Sequence, residues 1–274
     1  MNSISREIKR TKFLSSIKIL FLLGIVFAFC ITASQAQPNR EGQFKYTSPG
    51  GAYIGSYFTD LDDFLVRPLK WNRYQYISAT AITAAGAGLY FYDPEVRNFF
   101  IKKDSELLVG IDKWFLDPLG VGLWVIPVVG TMYFGGDERS AGTALAVVKA
   151  YGYGVGTAFA MKYFLQRARP SHFDPPNSTH WDGVFGKWEY DAFPSAHSLL
   201  SFAMATVIAT EYNETIWVPA LCYSLATLAS LSRIQHGDHW PSDVLIGAAI
   251  GFGIGKFIHR TSKKPATQFK LSFN

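Results

Sequence analysis

Charge is scarce in this chain, cysteine is scarcer, and a closed set of metal ligands is missing. Only 17% of the 274 residues are charged while 49% are hydrophobic, against roughly 25% charged in an ordinary soluble domain. That balance points to a membrane protein or to an unusually apolar helical one. His236, Asp238, His239 and Asp243 fall close together, but they close no ligand set and the neighbouring arginines would repel a cation. No metal and no cofactor is therefore expected. The net charge of +5 is modest and partly confined to the two ends, which argues against nucleic acid as a partner. There is no internal repeat and no low-complexity tract, and the length suits one domain with appendages.

The N-terminus carries Arg6, Lys9, Arg10, Lys12 and Lys18, then an apolar run from Ile19 to Ile31, then Ser34-Gln35-Ala36. A basic stretch, a short apolar core and small residues two apart read as a secretory signal cleaved after Ala36. The alternative is an uncleaved first membrane helix, since the run is only slightly short of spanning length. Cys30 lies in this segment, so cleavage leaves Cys222 alone and no intramolecular disulfide is possible.

Residues 37–75 are polar and turn-rich, with an acidic cluster at Asp60, Asp62 and Asp63. Six apolar stretches follow, at 76–92, 114–134, 141–165, 196–212, 215–232 and 243–259. Their lengths and their Ala, Gly, Leu and Val content predict helices, some able to cross a bilayer of roughly 30 Å. Glycines recur at helix-packing spacing, at Gly152, Gly154 and Gly156 and again at Gly247, Gly251 and Gly255. The expected fold is all-α, a helical bundle with five or six transmembrane helices. Its divisions are a signal or anchor (1–36), an N-terminal extension with peripheral helices (37–113), a helical core (114–262) and a tail (263–274).

The polar residues at the ends of the last four helices form a pattern. If successive helices alternate in direction, Lys162, Arg169, Ser195, His197, Arg233, His239 and Asp243 share one end of the bundle. Two arginines and a lysine neutralise an oxyanion, and the guanidinium fork matches two of its oxygens at once. Ser195 stands where an N-cap would, with the following backbone N–H groups facing the same anion. His239 and Asp243 lie four apart on one helix face, close enough for the carboxylate to bias the imidazole. A histidine so held can attack phosphorus, and His197 can protonate the leaving oxygen. Taken singly each residue is bland, Lys162 a snorkelling lysine and Ser195 a cap; the ordered combination carries the reading.

These residues resemble a known family. Lys162, with six residues before Arg169-Pro170, looks like the first signature of the type 2 phosphatidic acid phosphatase superfamily. Pro194-Ser195-Ala196-His197 resembles the second, and Ser232-Arg233 with His239 and Asp243 the third. The match covers roughly residues 140–260. The resemblance implies an all-helical bundle in which Lys162, Arg169, Arg233, Ser195 and the backbone at Ala196 hold the phosphate. It also implies that His239 forms a phosphohistidine, Asp243 supports it and His197 is the acid. The second signature usually has glycine where this chain has Ala196. Alanine keeps the backbone N–H but disfavours a left-handed backbone by roughly 1 kcal/mol.

The family also contains soluble acid phosphatases and vanadium haloperoxidases; the latter are typically longer chains. The first expectation is therefore a bacterial inner-membrane lipid phosphatase with its site facing the periplasm. The alternatives are a soluble periplasmic acid phosphatase and an idle bundle that only binds anionic headgroups. Candidate substrates by analogy are phosphatidic acid, phosphatidylglycerophosphate, polyprenyl pyrophosphate and a phosphorylated glycolipid. Arg260, Lys263 and Lys264 favour a cytoplasmic C-terminus, whereas Arg67, Lys70 and Arg73 look inside-facing too. A residue 37 exported by a cleaved signal conflicts with that C-terminus over six spans. Dropping the weak stretch 76–92, or an uncleaved anchor with five later spans, restores the parity, while Arg67, Lys70 and Arg73 stand against the drop. The segment 171–192, with Phe173, Trp181, Trp188 and Tyr190 among Asp174, Asp182, Glu189 and Asp191, is expected over the site. It reads as an interfacial belt, an acyl-chain entry wall or an ordinary packed loop.

Overall fold

The computed structural model describes residues 43–101 and 110–264. The expected signal or anchor, and the tail beyond residue 264, lie outside the described residues. The helices are α1 (Gly51–Thr59), α2 (Leu61–Val66), α3 (Arg73–Tyr90), α4 (Asp93–Ile101), α5 (Asp117–Gly120), α6 (Val125–Gly135), α7 (Glu138–Leu165), α8 (Ala196–Glu211), α9 (Trp217–Gln235) and α10 (Pro241–Ser262). A π-helical turn, Asp112–Leu116, leads into α5. Among the described residues the only β features are two isolated bridges.

Local chemistry sets the boundaries. Asn72 and Gln75 close a reciprocal capping box at the start of α3, both bonds being 3.0 Å. Asp137 caps α7 by accepting the Ser140 N–H at 2.9 Å. That helix ends where Gln166 turns left-handed at φ 45°. The predicted stretch 114–134 is not one helix, since the chain bends by 67° between the Asp112–Gly120 segment and α6. Among the described residues two helices, α7 and α10, are long and apolar enough to cross a membrane, or three if the bent pair counts as one span.

The core lies where α8 meets α7 and α10, around Leu199, Ala203, Val207, Ala150, Ile254 and Ile258. Glycine makes the α8–α10 contact possible. A Cβ added at Gly247, Gly251 or Gly255 would stand 2.6, 2.1 and 2.6 Å from the carbonyl oxygens of Ser195, Leu199 and Ala203. The rising order on both helices means that α8 and α10 run parallel, both starting at the same end. The other glycine run differs. Gly154 meets Leu200 of α8, Gly152 faces Tyr57 of α1, and Gly156 faces open space.

The two described ends of the chain meet. The Lys45 N–H donates to Ser262 O at 2.8 Å and the Lys264 N–H to Gln43 O at 2.9 Å. Beside them Glu211 is buried and gathers Arg139, His259 and Lys263 at 2.7–2.8 Å. From this end the chain passes along α3, the bent α5–α6 pair, α7, α8, α9 and α10 in alternating directions. The weakly apolar stretch 76–92 thus belongs to α3, whose later turns pack beside the start of α10, where Ile246 presses on Gly86 and Leu89 meets Leu245. Residues 43–45 and 262–264 share one end, and the signature residues lie at the other.

Candidate active site

Past Gln166 the chain extends, and the Arg167 carbonyl accepts the Ala192 N–H at 2.9 Å. The indole of Trp240 donates to Ala168 O at 2.9 Å. The Ser195 N–H donates to Asp243 O at 3.1 Å. Two main-chain bonds and one indole bond thus tie the three signature segments, in a setting where buried backbone groups must be paired.

Lys162, Arg169, Ser195, Ala196, His197, Arg233, His239 and Asp243 are all placed at this end. His239, 2% exposed, has its Nδ1 2.7 Å from the Ala192 carbonyl oxygen. A carbonyl only accepts, so Nδ1 carries the proton and Nε2 keeps its lone pair. Burial, seconded by the charges of Lys162, Arg169 and His197, holds this imidazole well below its ordinary 6.5 against the opposing pull of Ala192. It is therefore neutral at neutral pH. Asp243 is not its hydrogen-bond partner, being 3.9 Å from Nδ1. The Asp243 carboxylate instead accepts the Trp240 N–H at 2.9 Å and pairs with Arg167. It braces the turn carrying His239 and does not touch the ring.

Ser195 caps α8, its oxygen facing the N–H and hydroxyl of Ser198 at 3.5 and 3.2 Å. Ala196 is the first residue of that helix and is not among the described left-handed residues. The conformational cost expected from alanine in place of glycine therefore does not arise.

Each cation of the cradle already faces a carboxylate. Arg169 grips Asp191 with two bonds of 2.6 and 2.7 Å, and Lys162 donates to the Asp191 carbonyl. Burial raises the Asp191 carboxyl, but Arg169 and Lys162 outweigh it and hold it below its ordinary value. Arg233 grips Asp112 at 2.6 Å through both oxygens and Asp117 at 2.6 Å. Asp117 also stands 3.0 Å from Nε2 of His197. Sequence reading missed Asp112 and Asp117, because they precede the signatures by more than forty residues and no local pattern flags them.

It also missed Arg167, which sits inside the first signature. This side chain is 0% exposed and bonds Asp93 at 2.6 Å, Ser242 at 2.8 Å and Asp243. The rings of Tyr90, Trp181 and Trp240 lie 4.8–5.6 Å from its guanidinium carbon. Asp93 further accepts the Ser242 N–H at 2.9 Å. A lone buried arginine would be costly, so its signal was chemical: an interior Arg demands carboxylates.

Fold and site together define a helical bundle that gathers three cations and two histidines at one end. Residues 141–266 match the PAP2 superfamily model, and the chain carries a domain of that superfamily. A lipid A 1-phosphatase of Porphyromonas gingivalis is 34% identical over 102 residues, 37% of this chain and 20% of its own length. This chain therefore spans only a fifth of that relative. A lipid A 1-phosphatase of Rhizobium etli is 27% identical over 203 residues, 67% of this chain and 82% of its own. The crystal structure of Aquifex aeolicus LpxE resembles it over 62% of this chain and 95% of its own, at 22% identity and a TM-score of 0.47.

Proposed function

We propose that this chain is a membrane phosphatase that removes a phosphate from a lipid, through a phosphohistidine at His239. The observation that carries the reading is the convergence of Lys162, Arg169, Arg233, His197 and a neutral His239 at one end of the bundle. Nε2 of His239 attacks phosphorus as the bond from phosphorus to the leaving oxygen breaks. His197 gives that oxygen its proton, then takes one from the water that hydrolyses the P–N bond. Lys162, Arg169 and Arg233 spread over the phosphoryl oxygens, and the N-terminus of α8 at Ser195 and Ala196 adds N–H donors. Three fixed cations supply the charge that a metal supplies elsewhere, so the mechanism is metal-independent.

The relatives named as lipid A 1-phosphatases favour a phosphorylated glycolipid among the candidate substrates. Turnover on a panel of lipid phosphates and soluble monoesters, with chelator and with vanadate, tests the reading. Chelator-resistant hydrolysis and competitive vanadate inhibition are expected; activity that vanishes with chelator overturns the metal-free step.

The site is assigned to the periplasmic face of the inner membrane. Arg139 and Lys263 meet at Glu211, away from the site, with Arg260 and Lys264 beside them in sequence, which supports that end as cytoplasmic. With α3 counted as a pass, Arg67, Lys70 and Arg73 fall on that same side. An export signal would put residue 43 outside, so cleavage after Ala36 and a periplasmic site exclude one another in a six-pass bundle. A C-terminal green fluorescent protein fusion that stays dark would reverse the orientation.

A further inference from the structure

The loop between the first two signatures contains one piece that the catalytic reading leaves unused. Phe173 and Tyr190 pack with His172 and His180 at ring distances of 4.9–6.0 Å, and Trp181 lies against Phe193 and Arg167. These aromatics pack on one another and are at least partly covered, Trp181 being 37% exposed. The turn Gly183–Phe185 is different, with Phe185 100% exposed and Val184 50% exposed. A phenylalanine with no covered surface costs free energy in water.

The turn is nevertheless rigidly held. Gln166, 1% exposed, donates from its amide to Gly183 O at 2.8 Å and accepts the Trp188 N–H at 2.7 Å. The Asp182 N–H returns to Gln166 O at 3.0 Å. Gly183 turns at φ 67°, and a Cβ at Gly186 would stand 2.5 Å from the Gln166 oxygen. One buried amide thus clamps an apolar tip in place. Trp188 leads the tip back onto α7, stacking with Phe159 at 5.1 Å and Tyr163 at 5.0 Å. Those two residues are themselves 60% and 43% exposed.

We propose that Val184 and Phe185 form a prong that inserts into the lipid leaflet on the active-site side and seats the bilayer surface at the height of the phosphate cradle. The inference rests on the membrane reading above. Its occupant is lipid because the apolar surface is continuous with the outer face of α7, a helix long and apolar enough to span. Aromatic rings with polar edges, such as Trp188 and Tyr163, belong at the headgroup boundary, and the exposed Lys187 can reach up to the headgroups. Asp191, three residues beyond Trp188, is the residue gripped by Arg169, so prong and cradle are rigidly linked. A lipid phosphate at that depth meets Arg169 without leaving the leaflet.

The test uses the full chain in vesicles of phosphatidylethanolamine and phosphatidylglycerol. V184S/F185S is expected to raise KM for a vesicle-borne lipid phosphate about tenfold or more, the size set by uncovering one Phe and one Val. Turnover of soluble p-nitrophenyl phosphate stays unchanged. Independently, a nitroxide on F185C in a C30S/C222S background is expected to be relaxed by oxygen and shielded from an aqueous nickel chelate. An unchanged vesicle KM, or a nitroxide open to the chelate, overturns the prong. Loss of all lipid activity in the wild type with the nitroxide still buried would instead sink the substrate reading and leave the prong standing.

Discussion

Asp117 offers the sharpest perturbation, because its carboxylate stands between the two groups that a phosphate oxygen should meet. It faces Arg233 at 2.6 Å and His197 at 3.0 Å. Asp117→Asn keeps the shape and removes the charge that competes with substrate. The side chain is 43% exposed, and ion pairs at such exposure contribute about 0.2–1 kcal/mol. Freeing Arg233 of that competitor should tighten inorganic phosphate by up to about fivefold, since about 1.4 kcal/mol is tenfold. The same change loosens His197, whose part in proton transfer is worth about 10²–10⁴-fold in all. A partial loss of about tenfold in kcat follows. The assay is competitive inhibition by phosphate and vanadate alongside kcat on a soluble monoester. Weaker phosphate binding with kcat intact would refute the idea that Asp117 holds the place of a substrate oxygen.

Further outcomes follow from the same geometry. Arg167→Met leaves Asp93 and Asp243 buried without their partner, and thermal or denaturant unfolding should show a loss of about 3–5 kcal/mol; a change below about 1 kcal/mol would mean that the network does not hold the turn. Gly251→Ala forces a methyl against Leu199 O and should cost about 1–3 kcal/mol, whereas Gly253→Ala, with nothing within 4 Å, should be neutral or slightly stabilising. His239 is buried and neutral with its folded value below 6.5. Stability tied to it is complete above the unfolded value and falls as pH drops below it, because the unfolded chain binds the extra proton. For the same reason the acid limb of kcat/KM on a soluble monoester should lie below 6.5 once substrate ionisation is corrected; a limb above it contradicts the neutral nucleophile.

Much of this architecture was legible because helix ends and polar signatures coincide in the sequence. Alternating helices bring Lys162, Ser195, Arg233 and His239 together, and the cap at Ser195 needed only its position before a helical run. What sequence could not supply were partners set by tertiary contact. The spacing of His239 and Asp243 predicts contact, yet the ring is held by the carbonyl of Ala192, because Arg167 claims the carboxylate first. Arg167 reads as filler between Lys162 and Arg169 until its two buried carboxylates are seen. Asp93, Asp112 and Asp117 lie in segments without a signature. The stretch 76–92 is only weakly apolar, and its packing against α10, with Gly86 beside Ile246, is a tertiary contact that composition does not announce.

The central claim is a covalent intermediate at His239. Rapid quenching with alkali of the wild-type enzyme turning over a substrate with radiolabelled phosphate tests it directly, since a phosphohistidine survives base and is lost in acid. Base-stable, acid-labile label mapped to His239 and absent from His239→Gln is the expected result. Continued turnover by His239→Gln, or label on another residue, would contradict it.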